Sequence, residues 1–332
     1  MARPKILCTH PLFDATRQLL NDRFEVEYWP RSPRILRGEL LARVADKEGL
    51  ICLLSEKVDE DLLAHAPRLK VAATVSVGFD HIDVAACTRH GVIATNTPGV
   101  LDETTADFAW VLIFAVARRL LEASEMAQSN LWEGWGLDQL CGMDVWGKTL
   151  GIVGFGRIGR AVARRAAGFR MKILYTDAVR VGEETERELG AEYASLERLL
   201  GESNFVTLHV PLVPATHHLI STAQLARMKP TAFLINTSRG PVVDEQALVR
   251  ALDERIIAGA ALDVYENEPK IHPGLLGRKN AVLTPHIASA SVETRTRMAS
   301  MAAENAVALF SGKIPPNALN PEVLQNLHRG TN

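Results

Sequence analysis

The stretch Thr149 Leu150 Gly151 Ile152 Val153 Gly154 Phe155 Gly156 Arg157 Ile158 Gly159 joins an apolar run to a helical pattern through three glycines. Gly154 permits a tight turn, Gly156 lets a pyrophosphate approach the backbone, and Gly159 allows a helix to pack closely on a strand. The helix then begins with unpaired N–H groups and the positive end of its dipole facing any phosphate. Eighteen residues beyond Gly159, Asp177 follows a second apolar run, Met171 to Tyr175. A strand, a glycine triplet, a helix and an acid in this order predict a dinucleotide site. A carboxylate at 177 accepts hydrogen bonds from both ribose hydroxyls and repels a 2′-phosphate, so NAD is favoured and NADP remains possible. Arg180, three residues on, either offsets that repulsion or stands as a solvated loop charge.

The 332 residues are enough for about two domains, and a hydrophobic content of 47% is ordinary for a globular chain with two cores. Lys and Arg total 37 against 39 Asp and Glu, so no net basic field draws in nucleic acid or an anionic membrane. Cys8, Cys52, Cys87 and Cys141 are widely spaced and lack the pairing of a zinc site or redox dithiol. No metal is expected, and reduced cysteines fit a cytoplasmic protein. The N-terminal stretch shows no long apolar core followed by a small-residue cleavage site, and no segment approaches a membrane span in uninterrupted apolar length, so neither export nor membrane insertion is expected.

Short apolar runs at Lys5 to Thr9, Gly49 to Leu54, Leu69 to Val75 and Gly91 to Ala94 alternate with helical or polar stretches such as Phe13 to Asn21 and Asp59 to His65. That alternation predicts a parallel α/β sheet. Asp102 to Asp107 is a helix start leading into a long apolar helix, Phe108 to Leu121, and the domain crossing is placed near it. Glu122 to Gly147 carries Trp132, Trp135 and Trp146 among glycines and charges, too polar and irregular for a core of its own. It is expected to pack on a second subunit, with an arm folded on its own chain as the alternative. New strands follow at Leu150 to Val153, Lys172 to Tyr175, Phe205 to Leu208, Ala232 to Asn236, Gly259 to Leu262 and Ala281 to Leu283, predicting a second doubly wound sheet. A final helix, Val292 to Phe310, has no strand left to serve there and is expected to return to the first domain.

Three residues lie at or beyond predicted strand ends: Arg239 in Asn236 Thr237 Ser238 Arg239 Gly240, Glu268 after Asp263 Val264 Tyr265 Glu266 Asn267, and His286 in Thr284 Pro285 His286 Ile287 Ala288 Ser289. Each alone reads as a surface charge, a solvated acid or a packing histidine. Together, on the ligand-binding edge of one α/β sheet and downstream of a nucleotide site, they form a candidate catalytic set.

These elements, with Ser76 Val77 Gly78 Phe79 Asp80 His81 Ile82 Asp83 and the segments Asn236 to Asp244 and Pro285 to Ala290, closely resemble the D-isomer-specific 2-hydroxyacid dehydrogenases over nearly the whole chain. The resemblance implies two doubly wound parallel-sheet domains. One is a flavodoxin-like substrate domain, 1–99 plus 288–332, and the other a Rossmann coenzyme domain, 100–287, with a dimerisation arm at about 122–147 in a homodimer. It implies that a small 2-oxo acid is reduced by NADH, with His286 as general acid, Glu268 holding its tautomer so that a proton is available near neutrality, and Arg239 binding the carboxylate and ketone oxygen. Leu53, Ser55, Val77 and Gly78 join Arg239 and His286 as substrate contacts, the backbone amides around Val77 and Gly78 taking a carboxylate oxygen. The cofactor is assigned to Thr104, Gly154, Phe155, Gly156, Arg157, Ile158, Gly159, Asp177, His209, Val210, Pro211, Thr216, Thr237, Ser238, Asp263, His286 and Ala288.

Leu53 Leu54 Ser55 matches a loop that closes over small substrates in glyoxylate and hydroxypyruvate reductases, and no basic cluster near it would pair with a phosphorylated one. Gln139 stands where animal hydroxypyruvate reductases place a partner-subunit tryptophan, which leaves 2-ketogluconate or another 2-oxo acid as an alternative substrate. Formate or phosphite oxidation on the same scaffold is a second enzymatic reading, and Glu268 argues against formate, since formate dehydrogenases of this family carry Gln there. A nucleotide-sensing scaffold resembling the corepressors of this fold is the reading from another class.

Overall fold

A computed structural model describes residues 2–324 of the chain. Apolar runs buried on both faces become parallel strands, because each face is covered by helices. Five strands, β1 (Lys5–Cys8), β2 (Glu25–Tyr28), β3 (Gly49–Cys52), β4 (Val71–Thr74) and β5 (Ile93–Thr95), form a parallel sheet in the order β2-β1-β3-β4-β5. Seven more, β6 (Thr149–Val153), β7 (Lys172–Thr176), β8 (Ala191–Tyr193), β9 (Phe205–Leu208), β10 (Phe233–Asn236), β11 (Gly259–Leu262) and β12 (Ala281–Leu283), form a second in the order β12-β11-β10-β9-β6-β7-β8. The first is the flavodoxin order and the second the Rossmann order with one added strand, so the α/β class with two doubly wound sheets holds.

Among the described residues, those up to Leu101 and from Ser291 make one compact unit, and Asp102–Ala290 the other. The sequence expectation puts these crossings at 99/100 and 287/288. In the first unit, clusters around Leu7, Leu50 and Leu62 and around Ile6, Ile51 and Val71 make two separate cores for the five-stranded sheet. The helix Val292–Phe310 buries Ala302, Ala303 and Ala306 in the second of these. In the second unit the helix Asp102–Ala117 shares one core with Leu150, Ile152 and Tyr175, while Leu199, Leu234 and Leu248 fill another.

Three sequence expectations need correction. Strands β2 and β8 fall outside the apolar runs: Glu25 and Glu27 alternate with Val26 and Tyr28, and Ala191 is followed by exposed Glu192 and Tyr193, so these edge strands carry no continuous apolar signature. The helix expected over Phe108 to Leu121 is two helices, Asp102–Ala117 and Leu120–Gln128. They are separated at Arg119, whose φ of 50° is left-handed, while the Met143 amide donates to the Ala117 carbonyl at the break. The segment from Glu122 therefore starts helical rather than irregular.

The turn after β6 shows why three glycines stand there. Gly154 has φ +93°, and a Cβ on it would run into the His209 backbone. A Cβ on Gly159 would overlap the Gly154 carbonyl oxygen, whereas one on Gly156 would meet nothing within 4 Å. Gly159→Ala is therefore expected to lower the unfolding free energy by about 1–3 kcal/mol, and Gly156→Ala by about 0.5 kcal/mol or less. Urea unfolding checks this, and equal losses would show that the helix does not rest on the turn.

Candidate active site

Strands β6 and β9 are neighbours in the sheet while the chain order reverses between them, which leaves a crevice beyond their carboxyl ends. The turn Gly154–Gly156 and the residues from His209 border it. The helix Arg157–Ala166 starts there with no acidic residue in its first turn and no side chain capping it, so its leading amides are left for an anion. Phe155 contributes differently from Gly156: its amide donates to Asp177 Oδ2 at 2.5 Å, and its buried ring stacks on Tyr175 with centroids 4.0 Å apart. The amide thus orients the Asp177 carboxylate, whose Oδ1 accepts from the Val179 amide at 3.4 Å.

Arg180 is exposed, as a loop charge would be, but it is ion-paired. Its Nε and Nη2 both donate to the Glu186 carboxylate at 2.8 Å, and the Tyr175 hydroxyl donates to the same carboxylate at 2.7 Å. These donors hold the Glu186 carboxyl at about 2, well below its usual range. Nothing in the chain's local pattern marks Glu186, because its pairing spans a loop and a helix turn.

Across the turn, burial pushes His209 down to about 3, so its ring is neutral. Its Nε2 lies 2.9 Å from Thr207 Oγ1, while Nδ1 is buried without a partner among the described residues. Beyond Val210 and Pro211, Thr216 Oγ1 donates to the Pro211 carbonyl at 2.6 Å and accepts from the Val213 amide, knitting the loop. Thr104 lies in the first turn of the helix Asp102–Ala117. Thr237, just past β10, keeps a buried hydroxyl without a partner among the described residues. The open space before Gly156, unused helix amides, the Asp177 carboxylate and two orphaned buried polar atoms together fit a bound dinucleotide.

The candidate catalytic residues are brought together beyond the ends of β10, β11 and β12. After β10, Asn236 Oδ1 accepts from the Ser238 amide and hydroxyl, and its Nδ2 donates to the Arg239 carbonyl at 2.9 Å, which fixes the turn that presents Arg239. The Arg239 Nη1 donates to the Ser238 carbonyl. A Cβ at Gly240 would overlap the Tyr265 carbonyl, so the Arg239 turn lies directly on the loop leading to Glu268. In that loop the Tyr265 amide donates to Glu268 Oε1 at 3.1 Å, and the Tyr265 hydroxyl donates to the Thr284 carbonyl at 2.9 Å, just past β12 and before His286.

Glu268 Oε2 lies 2.8 Å from His286 Nδ1. A carboxylate only accepts, so the imidazole donates from Nδ1. Burial is the largest influence on the Glu268 carboxyl and pushes it up. The hydrogen bond and charge of His286, the Tyr265 amide and the Arg239 charge outweigh it and leave the carboxyl below its usual range. His286 has φ 55°, held by its amide donating to the Asp263 carbonyl at 2.8 Å. Asp263, assigned by resemblance to the cofactor, spends its carboxylate on this turn: it accepts from Thr284 Oγ1 at 2.6 Å and from the Ile287 and Ala288 amides at 2.8 Å. The sequence pattern gives no sign of this work by Tyr265 and Asp263, since much of what they hold is backbone.

In the first unit, Leu53 and Ser55 follow β3 and are tied to buried Glu56. The Leu53 amide and the Thr9 hydroxyl donate to Oε2, both at 2.7 Å, and the Ser55 hydroxyl donates to Oε1 at 2.5 Å. Val77 and Gly78 lie in the turn after β4. Gln139, in the second unit, donates through Nε2 to the Met126 sulfur at 3.2 Å. Among the described residues no group of His, Cys, Asp and Glu is arranged to hold a metal, and no helix is long and apolar enough to cross a membrane.

Comparison with known proteins follows the same lines. Residues 110–288 match the family described as D-isomer specific 2-hydroxyacid dehydrogenase, NAD binding domain. A glyoxylate reductase of Korarchaeum cryptofilum is 49% identical over 97% of this chain and 98% of its own. A solved protein of Thermus thermophilus superposes with a TM-score of 0.90 at 42% identity, covering 95% of this chain and 99% of its own. The NADPH-dependent glyoxylate/hydroxypyruvate reductase of Sinorhizobium meliloti, solved with NADP and malonate, gives 0.85 at 32% identity over 96% and 98% of the two chains. On these grounds the chain belongs to the D-isomer-specific 2-hydroxyacid dehydrogenases, NAD(P)-dependent oxidoreductases of 2-oxo and D-2-hydroxy acids.

Proposed function

We propose that this enzyme reduces glyoxylate, and hydroxypyruvate to D-glycerate, with NADH as the preferred donor. The observation that carries the reading is the 2.8 Å contact between Glu268 Oε2 and His286 Nδ1, next to the turn that presents Arg239. The nicotinamide, when bound, supplies a hydride to the carbonyl carbon. His286 gives a proton from Nε2 to the carbonyl oxygen as charge develops there, and Glu268 stabilises the imidazolium that carries it. Arg239 offers a planar fork to the substrate carboxylate and polarises the ketone. The amides of Val77 and Gly78 take a carboxylate oxygen, and Leu53 and Ser55 line the substrate. The Ser55 hydroxyl is already spent on Glu56, so this loop offers an apolar rather than a phosphate-binding surface, in keeping with a short 2-oxo acid. The substrate named for the archaeal and bacterial relatives supports the same choice.

NADH is preferred because Asp177 would face a 2′-phosphate with like charge while Arg180 is already neutralised by Glu186. The remaining cofactor contacts are those named above, from Thr104 to Ala288. The unit from Asp102 to Ala290 is the coenzyme domain and the other the substrate domain. The enzyme works as a homodimer through residues 122–147, where Leu131, Trp132, Trp135, Leu137 and Trp146 are all more than half exposed on the single chain.

His286→Ala is expected to lower kcat about 10²- to 10⁴-fold with glyoxylate. Turnover within a few-fold of the parent would remove His286 from proton transfer. The ratio of kcat/KM for NADH over NADPH is expected to exceed one, and Glu186→Gln, which releases Arg180, to move it toward NADPH by about three- to tenfold. A parent ratio below one defeats the Asp177 reading. A ratio unmoved in the variant shows that Arg180 plays no part.

A further inference from the structure

The turn after β4 has its carbonyls bound in an unusual succession. The Ser76 carbonyl accepts from the Thr97 amide at 2.8 Å, the Val77 carbonyl from Asn96 Nδ2 at 2.8 Å, and the Gly78 carbonyl from the Ser76 hydroxyl at 2.7 Å. In a trans peptide the N–H points opposite to the preceding C=O, and none of these bonds is cis. Holding three successive carbonyls therefore turns the amides of Val77, Gly78 and Phe79 the other way, and among the described residues nothing accepts from them. Such a row of amides is an anion receptor.

The Val77 carbonyl, and with it the Gly78 amide, depends on where Asn96 places its side chain. Asn96 is fixed by Asn305: Asn305 Nδ2 donates to the Asn96 carbonyl at 3.2 Å, and Asn305 Oδ1 accepts from the Asn317 amide at 3.4 Å and from its side chain at 3.2 Å. The Asn317 carbonyl in turn accepts from the Asn96 amide at 3.4 Å. Asn305 is completely buried in the helix Val292–Phe310, beside the alanines that pack on the sheet. An amide there has a desolvation cost that only full hydrogen bonding offsets, and every one of these bonds leads to the loop strands around Asn96.

We infer that Asn305 is a positioning residue for substrate recognition: through Asn96 it aims the Gly78 amide at the carboxylate of the 2-oxo acid. The inference rests on the proposed role of the Val77 and Gly78 amides. A helix remote in the sequence thereby sets affinity for the acid without touching it.

Steady-state kinetics on three variants of the full-length enzyme test this. Asn305→Asp keeps the acceptor for Asn317 and loses the donor to Asn96, and Asn305→Leu removes both. Each is expected to raise KM for glyoxylate about tenfold while KM for NADH stays within about twofold. A purely structural role would lower the melting temperature and leave KM for glyoxylate unchanged in the folded enzyme, which overturns the inference. Gly78→Pro removes the amide itself. If it leaves KM for glyoxylate unchanged, the amide reading fails. If it raises KM and neither Asn305 variant does, the reading stands and the role of Asn305 is refuted.

Discussion

The arrangement around His286 rests on one buried carboxyl group. Asp263 has no exposed surface, and burial raises its carboxyl above the ordinary range, yet three donors converge on its oxygens. They come from Thr284 and from the Ile287 and Ala288 amides, flanking His286 on either side. A buried carboxylate is costly unless its lone pairs are filled, and the groups that fill these are those of the histidine turn. The same requirement that keeps Asp263 satisfied in the protein interior therefore fixes the backbone of His286 in its left-handed conformation. Removing the carboxylate would leave two amides unpaired and the imidazole unaimed.

Around that anchor, main-chain contact does what side-chain pairing alone does not. Gly240 lets the Arg239 turn rest on the peptide after Tyr265, and the Tyr265 amide and hydroxyl reach the acid and the strand before the histidine. A second clasp lies behind it, where the Glu245 and Glu266 amides and carboxylates bond reciprocally and His218 pairs with Glu266 at 2.5 Å. Three strand ends are thus linked by backbone before any substrate is present, which is the preorganisation that electrostatic catalysis requires.

The nucleotide side follows a similar economy. One residue serves two ends: Phe155 stacks its ring under Tyr175 and lends its amide to Asp177, so the turn of the glycine motif also holds the acid after β7. Asp177 and Arg180 are close in sequence, but their charges are separated in use because Glu186 captures the guanidinium.

Much of this was legible in the residues alone. The glycine spacing, the acid after β7, the strand-end positions of Arg239, Glu268 and His286 and the doubly wound class all follow from local rules: side-chain period, turn stereochemistry and the placement of polar residues at apolar strand ends. Edge strands β2 and β8 and the break at Arg119 were not legible, since their formation depends on neighbouring strands and on the Ala117 contact rather than on their own composition. Nor were the partners of Arg180, Asp263 and Asn305, which lie up to 209 residues away for the Asn305 to Asn96 bond. A buried polar group shows in a sequence as an ordinary residue. Only the folded chain, by removing water from it, decides which distant group must satisfy it.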